Sequence, residues 1–166
     1  MTAVSSIQLK RPMWQTIVML TLSFWLSSSL ILEWVIMPSL YVSGMMTQSG
    51  FATAGYLIFW NFNRIELLSA ALVLTGVLVL GSNEFAATKW RRGAIVLSLL
   101  LVAVSLIDTY FLTPQMCATG VDLNLFESAV EIPATMNQLH VGYWLLEAMK
   151  LVAGGTLLGW CFRQEN

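Results

Sequence analysis

The chain is poor in charged residues. Only 10% of its 166 residues are Asp, Glu, Lys or Arg, whereas 57% are hydrophobic and the mean hydropathy is +0.74. Soluble domains average about 25% charged residues, so a soluble protein of this size could not cover its surface. The net charge of −1 and the absence of a basic face also argue against a nucleic-acid partner. These shortages predict one membrane-embedded domain spanning residues 1–166.

Residues that commonly build catalytic and metal sites are also scarce. The chain has two cysteines, Cys117 and Cys161, in no CxxC or other metal-type spacing, and a single histidine, His140. One histidine excludes haem ligation by two histidines of the same chain, although a single haem or pigment stays open. No Gly-x-Ser-x-Gly or HExxH motif occurs. The sequence therefore favours a non-catalytic protein.

Long apolar runs, in contrast, are abundant. A membrane-spanning helix needs about 20 mostly apolar residues, and four segments reach that length: residues 14–37, 56–80, 94–112 and 139–162. The first run is too long for the apolar region of a signal peptide, so it is predicted to be retained. Pro38 and Pro114 are predicted to end the first and third helices, because proline disrupts a helix interior. The predicted fold class is all-α, an integral membrane four-helix bundle.

Lysine and arginine are distributed unevenly among the predicted connections. They precede the first span, lie between the second and third spans and follow the fourth, whereas the other two connections have none. Cytoplasmic loops are enriched in these residues, so both termini are predicted to be cytoplasmic. A short amphipathic segment at about 122–131 would then lie on the outer surface. Cys117 and Cys161 would lie at opposite ends, which excludes a disulfide between them within one chain.

Ionisable residues occur inside the predicted spans. Each costs about 2.5–3.5 kcal/mol at the centre of a membrane helix, so such residues normally face the bundle interior. Arg64 with Glu147, and Lys150 with Glu66, are predicted to form ion pairs near the membrane midplane. The full predicted polar set is Glu33, Asn61, Asn63, Arg64, Glu66, Asp108, His140, Glu147 and Lys150.

Negative charge is in surplus within this set. Four carboxylates oppose two permanent cations, and surplus charge is unfavourable in a low dielectric, so a protonated carboxyl or a bound cation is predicted. The alternative is that Glu33 and Asp108, which are predicted to lie closer to the outer boundary, are simply hydrated. Asn61 and Asn63 are predicted to donate hydrogen bonds between the deeper and the shallower groups.

A second candidate set contains sulfur and imidazole groups, which suit copper as Cu(I). It consists of Met45, Met46, Met116, Cys117, Met136 and His140, all predicted at or beyond the outer membrane boundary. No MxxM spacing supports it, and methionine is also a common filler of apolar gaps. A soft-metal site is therefore one alternative, and copper or a single pigment or haem is the only cofactor that the sequence suggests.

Small residues at four-residue spacing predict close helix packing. Gly155 and Gly159 form one such pair, and Ser23 and Ser27 form another. Pairs of this kind let helix backbones approach each other. They are predicted to act within the bundle, with a homodimer face as the alternative.

Several stretches of sequence carry a family resemblance. They are Phe24–Leu26, Val35–Tyr41, Phe62–Glu66, Leu139–His140 and Leu146–Leu151. They resemble the transmembrane-protein-205-like family of uncharacterised four-helix membrane proteins, and are particularly similar to its cyanobacterial members. The resemblance implies a four-span bundle in a bacterial inner (plasma) or thylakoid membrane. It supplies no mechanism, but Asn63, Glu66, His140 and Glu147 fall within its motif regions.

Two functions are compatible with these observations. The first is an accessory subunit, assembly factor or stabiliser of a larger membrane complex, with the lipid bilayer, other membrane proteins or further copies of the chain as partners. The alternative is a cation-handling protein that binds copper or conducts protons or other ions. Unbroken spans and the lack of a convincing internal repeat argue against a typical secondary transporter.

Overall fold

Four long helices form the part of the chain that the structure describes. This structure is a computed structural model, and it describes residues 3–45, 50–81, 88–118 and 134–163. Its four candidate membrane spans are Met13–Leu40, Thr53–Gly81, Arg91–Ala118 and Val141–Arg163. The predicted all-α membrane bundle is confirmed, whereas the predicted amphipathic segment at 122–131 lies outside the described ranges.

The helices are numbered α1 to α4 along the chain. Helix α1 comprises Ala3–Ile31, a π-helical turn at Leu32–Ile36 and a final stretch at Met37–Val42. Helix α2 is Phe51–Gly81, and α4 is Ala134–Arg163. Helix α3 comprises Thr88–Ile107, a π-helical turn at Asp108–Leu112 and a final stretch at 113–118.

Neighbouring helices run antiparallel around a ring. Helices α1 and α3 each contact both α2 and α4. Gly76, late in α2, packs on Val18, early in α1, and Trp160, late in α4, packs on Gly93, early in α3. Helices α1 and α3 therefore terminate at the same end of the bundle, which we call the proline end.

The prediction that two prolines end their helices is wrong. Helix α1 continues beyond Pro38 to Val42, and α3 continues beyond Pro114 to residue 118. Both helices thus extend about 6 Å farther than a helix ended at the proline would, at 1.5 Å per residue. Groups that precede the prolines consequently lie deeper in the bundle than the sequence suggested.

A wider helical turn precedes each proline. The N–H group of Met37 donates to the carbonyl of Leu32, and that of Thr113 donates to the carbonyl of Asp108, five residues earlier in both cases. A proline has no N–H group for the carbonyl four residues before it, and its ring clashes with that carbonyl. The π-helical turns let the helices continue past this disruption.

The interior of the bundle is divided into an apolar half and a polar half. The apolar half lies away from the proline end and consists of Val18, Leu22, Trp25, Ala70, Val73, Val77, Ala94, Leu101, Ala153, Leu157 and Cys161. The charged side chains buried in the described helices are Glu33, Glu66, Asp108, Glu147 and Lys150, toward the proline end. Large apolar side chains such as Leu20, Leu68, Val96 and Val152 are exposed on the outside. Polar groups inside and apolar groups outside are typical of a bundle surrounded by lipid.

Glycines allow close helix contact at positions other than the predicted ones. A Cβ atom added to Gly76 would lie 2.2 Å from Val18 Cγ2, and one added to Gly154 would lie 2.9 Å from Leu26 Cδ2. Gly155 and Gly159 are exposed, and nothing lies within 4 Å of an added Cβ. The prediction that Gly155 and Gly159 pack within the bundle is therefore wrong.

Replacing Gly76 with alanine should destabilise the bundle. The new methyl group overlaps the stiff side chain of Val18, and overpacking of this kind costs about 1–3 kcal/mol. The Gly155→Ala variant is the matched control, because its methyl group points into open space. Thermal unfolding in mild detergent should show a lower midpoint for Gly76→Ala only, and equal midpoints for the two variants would contradict the contact.

Candidate functional site

Lys150 is the centre of the polar half. Its Nζ atom forms ion pairs with Oε1 of Glu66 on α2 and with Oε1 of Glu147 on its own helix. The three side chains are no more than 3% exposed. Glu147 and Lys150 are three residues apart, which places them on one face of α4. The predicted ion pair between Lys150 and Glu66 is confirmed.

Glu66 joins three helices. Its Oε1 atom accepts hydrogen bonds from Trp25 Nε1 and Ser29 Oγ of α1, both at 3.0 Å, in addition to the Lys150 ammonium. Trp25 and Ser29 are four residues apart and share a helix face. Hydrogen bonds to a charged group are stronger than those between neutral groups, so Glu66 fixes α1 and α4 against α2.

Asp108 and Glu147 have oxygen atoms without partners. Asp108 is 1% exposed, yet neither Oδ1 nor Oδ2 accepts a hydrogen bond from the described residues, and Glu147 Oε2 is in the same state. Ser105 Oγ, one turn before Asp108 on α3, is also buried and unpartnered. Buried polar atoms in folded proteins almost always have a partner. Three such carboxylate oxygens therefore identify an incomplete site.

Three carboxyl groups from three helices converge at this place. One carboxylate oxygen from each of Glu66, Asp108 and Glu147 lies within 4.8 Å of the other two. We call these residues the carboxylate triad. The nearest helix ends in the proline half are roughly 15–22 Å away by helical rise, so the triad lies deep inside the bundle.

Glu33 extends the polar half beyond the triad. Tyr143 of α4 donates its hydroxyl hydrogen to Glu33 Oε1, and Glu33 is 4% exposed. The charges of Lys150 and Glu66 act on this carboxyl group. The Tyr143 ring makes edge contacts with Phe59 at 6.0 Å between ring centroids. Glu33 therefore interacts with the charges of the triad, and the rings of Tyr143 and Phe59 pack against each other beside it.

The prediction that Asp108 belongs to a separate, shallower group is wrong, as is the alternative that Asp108 and Glu33 are hydrated. Asp108 belongs to the triad, and both carboxyl groups are buried rather than hydrated. The reason is the continuation of α1 and α3 past their prolines, which places Glu33 and Asp108 about 14–15 Å from the ends of their helices by helical rise.

The predicted ion pair between Arg64 and Glu147 is also wrong. Arg64 is exposed, and its guanidinium carbon lies 3.4 Å from the centroid of the Trp60 ring. Each residue of an α-helix turns by about 100°, so Arg64 points away from the inward face that carries Asn63 and Glu66. Arg64 gains a cation–π contact instead.

The two asparagines have different roles. Asn61 is exposed, and its Nδ2 atom donates to the Leu57 carbonyl of its own helix at 2.8 Å, so the predicted link to the buried groups is wrong for this residue. Asn63 Nδ2 donates to Thr113 Oγ1 at 2.6 Å and to the Asp108 carbonyl at 3.5 Å. Asn63 therefore attaches α2 to the π-helical turn that carries Asp108.

Positive charge is scarcer in the polar half than the sequence suggested. Among the side chains that the structure describes, four buried carboxyl groups share the single ammonium of Lys150, because the expected second cation, Arg64, lies outside. If every carboxyl group were ionised, three negative charges would be uncompensated in a low-dielectric interior, where such charges repel each other strongly.

Of the soft-metal set, the structure describes the side chains of Met45, Met116 and Cys117 only. Met45 is exposed, whereas Met116 and Cys117 are half-buried. Met46 and the side chains of Met136 and His140 lie outside what the structure describes. This set stays a prediction. Cys117 and the buried Cys161 are both free thiols.

Sequence reasoning missed three residues that hold the site in place: Trp25, Ser29 and Thr113. Trp25, Ser29 and Glu33 recur at four-residue spacing, which is the signal of one helix face. Thr113 had no such signal, because it follows a π-helical turn that the sequence did not predict.

No protein-family model, curated protein or solved structure matches this chain. The resemblance to the transmembrane-protein-205-like family therefore stays a prediction. The function has to be argued from the geometry of the buried cluster.

Replacing Lys150 with methionine should destabilise the protein strongly. The change leaves Glu66 and Glu147 buried without their cation, and breaking a buried ion pair in this way costs about 3–5 kcal/mol. Arg64→Met removes an exposed cation of similar length and should leave thermal unfolding in detergent nearly unchanged. A Lys150→Met protein as stable as Arg64→Met would contradict the central place of this ammonium.

Proposed function

We propose that this chain is a cation-handling protein that moves cations across the membrane, with the carboxylate triad and Glu33 receiving positive charge inside the bilayer. The observation that carries this proposal is the mismatch, in the described helices, between four buried carboxyl groups and one buried ammonium. Ionisable groups inside a membrane are costly and commonly mark ion or proton pathways. A cation that enters the cluster would supply the missing positive charge.

The π-helical turns support this proposal. They begin at Leu32 and Asp108, so they include Glu33 and Asp108, two of the four buried carboxyl residues. Single π-helical turns within α-helices occur frequently at functional sites. The sequence argued against transport because its spans looked unbroken, yet two spans depart from α-helical geometry beside the acidic groups.

The direction of access follows from the charge distribution of the sequence. With both termini cytoplasmic, as the positions of lysine and arginine predict, the proline end faces away from the cytoplasm. The cation then reaches the cluster from that side. The family resemblance supports a bacterial plasma or thylakoid membrane as the location of the protein.

The accessory-subunit function is a second candidate, favoured by a different surface. Gly155 and Gly159 are exposed on α4, and an apolar groove between α3 and α4 is lined by Leu97, Leu100 and Val152. Small residues beside an apolar groove allow close approach of another membrane helix. A partner subunit or a second copy of the chain is the occupant that this surface would take.

Ion flux into vesicles tests the cation-handling proposal. Purified protein is reconstituted into liposomes that contain either a pH-sensitive or a Mn²⁺-sensitive dye, and a cation gradient is imposed. We expect a flux in at least one arm that falls to the level of empty vesicles in Asp108→Asn, because this variant removes an unpartnered carboxyl group.

Arg64→Gln is the control for this experiment, since it changes a charge outside the cluster. Its flux should equal that of the unmodified protein. Signals at the empty-vesicle level in both arms for a folded, reconstituted protein would reject cation handling. An Asp108→Asn protein with undiminished flux would reject the cluster as its route.

A further inference from the structure

We infer that the carboxylate triad is a binding site for one divalent cation of the hard, oxygen-preferring class, such as Mg²⁺, Mn²⁺ or Ca²⁺. The inference rests on the proposed function and names the chemistry of its ion. It assigns the ligands to Asp108, Glu147 and Glu66, one on each of three helices.

The spacing of the oxygens fits a single ion. Ligand oxygens lie about 2.0–2.6 Å from Mg²⁺ or Ca²⁺, so two oxygens on opposite sides of such an ion are separated by about 4–5 Å. One oxygen from each member of the triad lies within 4.8 Å of the others. An ion between them contacts three helices without rearrangement of the backbone.

The unpartnered oxygens point to the same ligand independently of the spacing. Both oxygens of Asp108 and Oε2 of Glu147 are buried without a hydrogen bond from any described residue. Lys150 occupies Oε1 of Glu147 and Oε1 of Glu66. The ammonium therefore holds two members of the triad together, while both oxygens of Asp108 and Oε2 of Glu147 stay available. Ser105 Oγ, also unpartnered, can add a neutral oxygen one turn from Asp108.

Charge favours a divalent ion over a monovalent one. The four ionised carboxylates and Lys150 would leave three negative charges, of which a divalent ion compensates two and a monovalent ion only one. The donor set of the triad consists of carboxylates and lacks thiolate and imidazole. Oxygen ligands of this kind suit Mg²⁺, Ca²⁺ and Mn²⁺ rather than copper. The triad is thus distinct in chemistry from the predicted methionine and cysteine set.

Binding of Mn²⁺ to the full chain in detergent tests this inference, because Mn²⁺ is paramagnetic and shares the ligand preference of Mg²⁺ and Ca²⁺. Titration followed by electron paramagnetic resonance should show one bound Mn²⁺ per chain, displaced by excess Mg²⁺ or Ca²⁺. Asp108→Asn and Glu147→Gln should each weaken binding by at least about tenfold. Cys117→Ala, which alters the soft-metal set, should bind Mn²⁺ as the unmodified protein does.

Thermal stability distinguishes loss of a ligand from loss of the fold. Without metal, Asp108→Asn should unfold at the same temperature as the unmodified protein or higher, since it removes a surplus buried charge. Added Mn²⁺ should raise the unfolding midpoint of the unmodified protein and leave that of Asp108→Asn unchanged. A folded, unmodified protein that binds no Mn²⁺ overturns the inference, as does binding that persists in Asp108→Asn.

The outcomes separate this inference from the proposed function. Proton flux into vesicles without any Mn²⁺ binding overturns the divalent site and leaves cation handling intact. Triad-dependent Mn²⁺ binding without flux in either dye arm supports the site and overturns the handling function.

Discussion

The ammonium of Lys150, held between Glu66 and Glu147, is the interaction on which the polar half depends. In a low-dielectric interior its attraction to two carboxylates is strong, and so is the repulsion that would follow its removal. The same oxygen of Glu66 also accepts hydrogen bonds from Trp25 and Ser29. The ion pairs and hydrogen bonds around this cation thereby set the mutual positions of α1, α2 and α4. They also bring Glu147, which has an unpartnered oxygen, close to Glu66.

Backbone geometry supplies what this ion pair cannot, namely the position of Asp108 on α3. The π-helical turn before Pro114 lets α3 continue, and Asn63 bonds both the Asp108 carbonyl and Thr113 at that turn. The π-helical turn therefore places Asp108 in the triad, and the hydrogen bonds of Asn63 on α2 hold this turn in position. The irregularity and the unpartnered carboxylate occur at one residue, which is why we interpret both as parts of one site.

The sequence predicted the spans, the inward face of α4 and the pair between Lys150 and Glu66, because apolar length and helical periodicity are local properties. It failed where geometry depends on contacts between helices. Proline usually ends a helix, and nothing local shows that a widened turn will let the helix continue past Pro114. The error at Arg64 has a different cause, because its angle of about 100° to Asn63 turns it outward, where it contacts the Trp60 ring one turn earlier on the same helix. Because of the first error, Asp108 was predicted to be too shallow, and because of the second, Arg64 was counted among the buried cations. Together they concealed that Asp108 lies close to Glu66.

The division of the interior into two halves places the buried charges in the half toward the proline end and leaves the other half without them. Beyond the triad, buried positions of the described helices are apolar apart from serine hydroxyls. Such a layer acts as an insulator, because an ion that leaves the carboxylates in that direction has no strong ligand to replace them. Charge can thus enter and leave by the same side at little cost, whereas passage to the far side requires the helices to move apart. The interior of the described helices is therefore unlike that of an open, water-filled pore.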